Sequence, residues 1–374
     1  MTANLLTIIA RKRQEPFGVA DPSDFEFEIG EAIDPQAMAT NPRITLYCLD
    51  HANQRALFVE TVPGADLSQA PFFYQAQYEN TVNLYGISYD TLHQLADRIS
   101  IGNQQLMLVY STGRSGSTLI GFALNAVNGV IGISEPDVFT QLVSLREWDG
   151  SNEAEISALV NSCMKLLCKP TEQIPNPIAW SIKFRSFSIE LGDLLYKHFP
   201  NAKVVFLYRN LESWAVSTMR AFVENDTIEL RTWLQTWFAT LVPSVAKHAR
   251  EDGSILSLFT MSTLMWTSIL ERYMELHEKG VPMLAVRFED IKSAPQEAVR
   301  KIIEYCGFSD VNMEKVYKVL EQDSQANSAI SQEVLAGHDF KLTDAYRADF
   351  ARVLQAHPVI HSGDYIVPAT WARE

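Results

Sequence analysis

The clearest candidate for a binding site in this chain is a short run of small polar residues that follows an apolar segment. The run follows residues 106–110 and contains Gly113, Arg114, Ser115, Gly116, Ser117 and Thr118. A strand, a glycine-containing turn and a helix in this order direct several backbone N–H groups, and the positive end of the helix dipole, at one place in solvent. Hydroxyl groups add donors, and arginine offers a planar fork to phosphate oxygens. The loop is therefore predicted to bind a phosphate group.

Two better-known loops do not fit this spacing. A Walker A loop reads GxxxxGK[ST], whereas the present loop is shorter and has no lysine after its second glycine. A GxSxG nucleophile elbow is excluded because Gly113 and Gly116 have the wrong separation. A tight strand-to-helix turn with a solvated Arg114 stays open as the alternative to a phosphate site.

A second strand end supplies another arginine. Residues 204–208 form an apolar run, Arg209 follows it directly, and Ser217 stands eight residues further on. A terminal phosphate dianion needs a cation and neutral donors, which this arginine and serine could supply. The alternative is a strand-end salt bridge between Arg209 and Glu212 or Asp193.

These residues belong to an alternating pattern of strands and helices that begins near residue 105. The predicted strands are 106–110, 178–184, 203–208 and 282–287. The predicted helices include 116–127, 188–198, 211–223, 229–248 and 256–279, and a capping box at 293–296 starts a helix that should stop before Gly307. The alternation predicts an α/β domain over residues 101–374 with a central parallel sheet. In such sheets ligands bind beyond the carboxyl ends of the strands, which is where Arg114, Lys183 and Arg209 are expected.

Residues 1–100 precede the alternating pattern and are predicted to be an acidic, partly β N-terminal extension or small accessory domain. Strands are expected at 44–49 and 56–61, and residues 15–40 are interpreted as a surface or linker segment. Aromatic residues at 72–74 and Tyr78 are either local core or a surface that caps a substrate.

Composition and charge narrow the class of protein. The chain has 374 residues, and its net charge of −14 argues against a general nucleic-acid binder, which needs a basic face. No CxxC pair occurs and the histidines show no ligand spacing, so we expect buried thiols and no metal site. The N-terminal apolar run is short and precedes its positive charges, whereas a secretory signal has its positive charges first. Residues 254–270 are better suited to a buried helix than to a membrane span. We therefore expect a cytoplasmic protein.

The two arginine motifs together resemble those of the sulfotransferases, which use 3′-phosphoadenosine 5′-phosphosulfate (PAPS) as donor. The phosphate loop and the later Glu135-Pro136 are closer to the carbohydrate and tyrosyl-protein branches than to the cytosolic small-molecule branch, which usually has lysine in place of Arg114. Arg287-Phe-Glu-Asp290 and the helix after it resemble a further, structural family segment. The resemblance covers about residues 105–335 and implies a P-loop-type three-layer fold.

The resemblance also implies roles for individual residues. The loop residues 113–118 would hold the 5′-phosphosulfate, with Arg114 on its oxygens, while Arg209 and Ser217 would hold the 3′-phosphate. Glu135 would act as the general base and Lys183 would neutralise the departing phosphate. The alternatives are a helix-start carboxylate for Glu135 and a solvated strand-end cation for Lys183, with Arg185 as a less favoured substitute.

The predicted activity is transfer of a sulfonate from PAPS to a hydroxyl or amine by in-line displacement, without a metal. The acceptor could be a sugar, a peptide, a lipid or a metabolite, and the first hundred residues could shape its cleft or mediate a homodimer. Residues 323–328 are expected to correspond to the family's late loop, although the RKGxxG sequence of the cytosolic enzymes is absent. Two competing functions stay open, a kinase or ATPase and a non-catalytic nucleotide-binding protein.

Overall fold

The computed structural model describes residues 2–15, 17–102, 106–223, 225–326 and 328–372. By its contacts the chain divides into two compact units. The first unit comprises Met1–Leu108, Leu124–Phe184 and Leu191–Ala202, and the second comprises Val109–Ala123, Arg185–Glu190 and Lys203–Glu374. The domain boundary predicted near residue 100 stays a prediction.

An antiparallel five-stranded sheet occupies the N-terminal part of the first unit. Its strands are β1 (Ala3–Arg11), β2 (Phe25–Ile33), β3 (Ile44–Asp50), β4 (Arg55–Thr61) and β5 (Thr81–Ser88). They lie in the order β2-β1-β5-β4-β3. The predictions at 44–49 and 56–61 are confirmed, and the prediction of a linker at 15–40 is wrong, because β2 lies inside it. This strand is at the sheet edge and carries exposed glutamates between its apolar residues, which weakens the signal in the sequence.

A second five-stranded sheet confirms the predicted α/β class with a central parallel sheet. Its strands are β6 (Leu106–Ser111), β7 (Val130–Ser134), β8 (Ala179–Lys183), β9 (Lys203–Tyr208) and β10 (Met283–Arg287). Their order is β10-β9-β6-β8-β7, and the registers of β9 with β10 and of β7 with β8 are parallel. Four of these strands were predicted, and β7 was missed because it is five residues long and contains Gly132.

The helices vary widely in length. Their bounds are α1 (Gln36–Thr40), α2 (Phe73–Asn80), α3 (Tyr89–Ala96), α4 (Ser117–Asn125), α5 (Val138–Leu145), α6 (Glu153–Leu167), α7 (Gly192–His198), α8 (Leu211–Phe222), α9 (Ile228–Phe238), α10 (Pro243–Glu251), α11 (Leu258–Glu278), α12 (Phe288–Ser293), α13 (Pro295–Tyr305), α14 (Met313–Val319), α15 (Gln332–Leu335) and α16 (Asp344–Ala356). The single helix predicted at 229–248 is wrong. The chain breaks before Pro243, since Val242 is extended and proline cannot continue a helix from the residue before it.

The helix predicted to begin with a capping box begins differently. Ala294 is the N-cap of α13 and makes no side-chain cap, while the Ser293 hydroxyl donates to the Asp290 carbonyl of α12 at 3.2 Å. The predicted end is confirmed, because α13 stops at Tyr305 and Gly307 has a φ of +90°. In the part of the chain that the structure describes, no helix is both long and apolar enough to cross a membrane.

A lysine is buried between elements of the first unit. The amine of Lys169 donates hydrogen bonds to the carbonyls of Met38 (2.8 Å) and Ile44, and the residue is 6% exposed. Burial lowers the pKa of Lys169 to about 7. A neutral amine still has two N–H donors, so both hydrogen bonds persist when the proton is lost.

This burial predicts a pH-dependent stability. Above the folded pKa near 7 and below the unfolded value of about 10.4, the unfolded chain holds a proton that the folded chain lacks, so the free energy of unfolding should rise with pH. Between pH 6.5 and 8.5, urea unfolding should show this rise in the wild type and in the exposed control Lys197→Met, and a smaller rise in Lys169→Met. Equal pH slopes in all three proteins would contradict the assignment.

Candidate active site

The loop between β6 and α4 contains three residues with positive φ, two of which are glycines. Gly113 and Gly116 have φ values of +76° and +80°, and Arg114 between them has +50°. A non-glycine residue in this region costs roughly 1–2 kcal/mol, which the surroundings must offset. The hydroxyl of Ser115 donates to the Leu207 carbonyl at 3.1 Å and fixes the loop against the end of β9.

Gly116 is also a point of close packing. A Cβ added there would lie 3.3 Å from the ring of Phe288, at the start of α12. The same ring lies 4.4 Å from the guanidinium carbon of Arg209. The segment that begins at Arg287 therefore supports both the loop and the second arginine through Phe288.

Three of the predicted binding residues come together in the second unit. Arg114 donates through Nε to the Ser217 hydroxyl at 3.1 Å, and Arg209 donates through a terminal nitrogen to the carbonyl of Arg114, also at 3.1 Å. Arg209 additionally donates through Nε to Ser213 at 2.9 Å. Helix α8 starts directly after this arginine because Asn210 caps the amides of residues 212 and 213. The helix thereby presents Ser213 and Ser217, four residues apart, on one face.

The two arginines form a half-buried patch of like charge. The pKa of Arg114 is lowered, first by burial and then by the neighbouring charges of Arg209 and Arg220. Burial likewise lowers the pKa of Arg209. Among the described residues, no carboxylate lies within ion-pair distance of Arg114 or Arg209. An anion at this patch would be stabilised by both guanidinium groups.

The two carboxylates considered as salt-bridge partners of Arg209 pair with other arginines. Glu212 pairs with Arg347 at 3.2 Å, and Asp193 pairs with Arg146 at 2.8 Å. Glu289 raises the pKa of Arg209 by its charge without forming an ion pair with it. The orientation of Arg209 is therefore set by hydroxyl, carbonyl and ring contacts.

The late segment contributes a contact that sequence reasoning did not foresee. The side-chain amide of Gln325 donates to the Thr118 hydroxyl at 2.8 Å. Asp323 holds the segment in shape by accepting from the amides of Gln325 (3.0 Å) and Gln332 (2.8 Å). The predicted loop at 323–328 thus contacts the phosphate loop, while Asn327 lies outside the described residues.

Glu135 and Lys183 form an ion pair in the first unit. They stand at the ends of β7 and β8, where the amide of Glu135 donates to the carbonyl of Lys183 at 2.6 Å. The ammonium of Lys183 donates to the carboxylate of Glu135, and the two side chains are 4% and 14% exposed, respectively. Lys183 is thus buried and not solvated, and Glu135 lies two residues before Asp137, the N-cap of α5.

Glu135 shares a conformational feature with Arg114. Its φ is +61°, again in the left-handed region that favours glycine. Residues held in such conformations concentrate at functional sites. The ring of Phe72 lies 6.0 Å from the amine of Lys183, a contact that the sequence did not reveal.

We predict that packing and backbone conformation at Gly116 make separate contributions to the free energy of unfolding. Gly280 has nearly the same φ, +82°, but open space around the position of a Cβ. Gly280→Ala should lower the free energy of unfolding by roughly 1 kcal/mol through φ strain alone. Gly116→Ala should lose about 1 kcal/mol more, because the methyl group pushes on Phe288. Urea unfolding measures both, and equal losses would contradict the packing described.

A protein-family model matches the central part of the chain. Residues 107–312, more than half of the chain, match the model described as "Sulfotransferase family". No curated protein matches the chain in sequence.

Several solved structures resemble the chain at low identity. Sulfotransferase STF9 from Mycobacterium avium is 14% identical with a TM-score of 0.40, covering 69% of this chain and 78% of that chain. Mouse sulfotransferase SULT7A1, complexed with PAP, is 14% identical with a TM-score of 0.38, covering 72% and 91%. A sulfotransferase from Alicyclobacillus acidocaldarius is 14% identical with a TM-score of 0.40, covering 69% and 94%.

The match of the family model over residues 107–312, which contain the phosphate loop, Glu135, Lys183 and Arg209, leads to one conclusion: the chain belongs to the sulfotransferase family.

Proposed function

We propose that the protein transfers a sulfonate group from PAPS to a hydroxyl or amine of an acceptor. The observation that carries this proposal is the cluster of Arg114, Arg209 and Ser217 beside the phosphate loop. A nucleotide with phosphates at both the 3′ and 5′ positions supplies the negative charge that such a cluster requires. The loop amides and the N-terminus of α4 would receive the 5′-phosphosulfate, and Arg209 with Ser217 the 3′-phosphate.

The chemical step needs a base and a cation. In our proposal Glu135 removes the proton from the acceptor while the acceptor oxygen or nitrogen forms a bond to sulfur. The bond between sulfur and the bridging phosphate oxygen breaks, and the electron pair stays on the 5′-phosphate of the product, adenosine 3′,5′-bisphosphate (PAP). Lys183, which pairs with Glu135 in the structure, would turn to that phosphate and free the carboxylate to accept the proton.

The alternative of a kinase or ATPase finds less support in this chain. Such enzymes hold Mg²⁺ and use a lysine or equivalent cation on the β- and γ-phosphates. The loop after β6 lacks the Walker lysine. Magnesium-dependent ATP turnover would revive this alternative, and PAPS binding without transfer to any acceptor would favour a non-catalytic protein.

Arg209 is predicted to contribute to the affinity for PAP. Arg209→Ala removes a charged donor to the 3′-phosphate, a loss worth about 1.5–3 kcal/mol, or roughly ten-fold to a hundred-fold in Kd. Isothermal titration with PAP measures the change. Arg347→Ala, which removes an exposed arginine paired with Glu212, is the control and should leave the affinity unchanged. Wild-type affinity in Arg209→Ala would refute the 3′-phosphate assignment.

Glu135 is predicted to act in turnover and not in donor binding. Glu135→Gln keeps the size of the side chain but cannot take a proton, so turnover should fall by ~10²–10⁴-fold while PAP binding persists. The assay follows radiolabelled sulfonate from PAPS into a panel of sugars, tyrosyl peptides, lipids and small hydroxylated metabolites. Glu147→Gln, at an exposed position, serves as control. Near-normal turnover of Glu135→Gln on an accepted substrate would remove this residue from the mechanism.

A further inference from the structure

The backbone conformation of Glu135 must be held by its surroundings. Its φ of +61° is unfavourable for a residue with a Cβ, and it stands in a short connection between β7 and α5. Such a conformation persists only where neighbouring contacts determine it. The groups that make those contacts include residues from the first hundred of the chain, which lie outside the segment that matches the family.

Two hydrogen bonds flank Glu135 closely. The hydroxyl of Ser134, the residue before it, donates to the carbonyl of Pro71 at 2.7 Å. The carboxylate of Asp137, two residues after it, accepts from the amide of Ala20 at 2.8 Å. Ser134 is 8% exposed and Asp137 is 1% exposed. Because buried hydrogen bonds of this kind are costly to break, the connection is fixed on both sides of the candidate base.

Two further side-chain amides extend this attachment into β7 and α5. Gln141 of α5 accepts from the amide of Leu49 at 2.7 Å and donates to its carbonyl at 3.0 Å, as a neighbouring strand would. Asn125 donates to the carbonyl of Ser68 at 3.2 Å and accepts from the amide of Gly132 in β7 at 2.9 Å. The elements on both sides of Glu135 are thus tied to the N-terminal extension.

The extension also covers the partner of Glu135. Phe72 lies with its ring 6.0 Å from the Lys183 amine, and Phe17 packs edge-on against Phe72 at 5.7 Å between ring centroids. Ala20, Pro71 and Phe72 therefore contact the segments that carry the candidate base and cation.

We propose that the N-terminal extension is a positioning element for Glu135, and that Ser134 and Asp137 are positioning residues that hold its carboxylate in line with the acceptor. This role rests on the proposed function of Glu135 as base. It gives residues 1–100 a part in catalysis. The sequence left open whether these residues shape the acceptor cleft or form a dimer surface, and this role favours the active site over the dimer surface. A displacement of about 1 Å at a reacting group is enough to lower turnover by up to roughly a hundred-fold.

The test compares variants that break these ties with one that breaks a similar bond elsewhere. Ser134→Ala and Asp137→Ala remove the flanking bonds, and Asp137→Asn restores an acceptor oxygen for the Ala20 amide. Gln77→Ala is the control, because Gln77 is 1% exposed and binds Thr45 (2.8 Å) and Leu46 (2.9 Å) within the same extension. All four are assayed well below their melting temperatures for kcat, for the Kd of PAP and for hydrogen exchange at the Glu135 amide.

We expect kcat of Asp137→Ala to fall by roughly ten-fold or more, with the Kd of PAP unchanged and faster exchange at Glu135. Ser134→Ala should change in the same direction, Asp137→Asn should recover part of the loss, and Gln77→Ala should keep wild-type kcat. In a Glu135→Gln background, Asp137→Ala should cause no additional loss, since both changes act through the same carboxylate.

Three results would overturn the inference: wild-type kcat in Asp137→Ala, an additional loss of the same size in the Glu135→Gln background, or unchanged exchange at Glu135. If the wild type transfers no sulfonate to any acceptor while it binds PAP, the proposed function fails instead. The exchange measurement does not depend on activity, so it decides in that case whether the extension holds the Glu135 backbone.

Discussion

Two half-buried arginines held at the same loop are the constraint on which the rest of the site depends. Arg114 and Arg209 share a half-buried position, and each has a lowered pKa because burial and, for Arg114, its cationic neighbours disfavour the charged form. A protein keeps like charges together at such a cost only if the surrounding structure forces them there. The loop fixed by Ser115 and the ring of Phe288 supply that force. An anion with two separate phosphate groups would turn the repulsion into binding energy.

Backbone strain is present at two of the candidate site residues, independently of their charge. Among the described non-glycine residues, a positive φ is found at Gln54, Arg114, Glu135 and Ala369. Two of these are the residues to which the family resemblance gives roles at the sulfonate. A backbone held in such a conformation fixes the direction of the Cα–Cβ bond and so leaves the side chain few alternative positions. The loop around Arg114 is fixed by Ser115 and Phe288, whereas Glu135 is fixed by Ser134 and Asp137 through the N-terminal extension.

The sequence predicted the parts of this arrangement that are local. Apolar strands that end at Arg209 and Lys183, and a loop with glycines at 113 and 116, can be recognised because each occupies a few consecutive residues. Four strands were missed, β1, β2, β5 and β7, and two of them show where local signals fail. Strand β7 is short and contains Gly132, and β2 is an exposed edge with glutamates between its apolar residues. The break before Pro243 could have been read from the proline itself.

Contacts between distant segments could not be predicted from one sequence. The hydrogen bond from Gln325 to Thr118 joins residues 207 positions apart, and that from Ser134 to Pro71 joins residues 63 positions apart. Glutamine, serine and proline at these places have no distinguishing pattern, because their role comes from what the fold places opposite them. The chain's membership of the sulfotransferase family accounts for residues 107–312, while the role of the first hundred residues emerges only from such contacts.

The central claim is that the arginine cluster recognises a nucleotide with two separated phosphate groups, and titration calorimetry of the wild type tests it most directly. The measurement compares PAP with adenosine 5′-monophosphate, which lacks the 3′-phosphate, and with ATP in the presence of Mg²⁺. The account predicts that PAP binds without a metal and at least about ten-fold more tightly than the monophosphate, as expected for a charged hydrogen-bonded contact. Equal affinities for PAP and the monophosphate, or a magnesium-dependent preference for ATP, would contradict it.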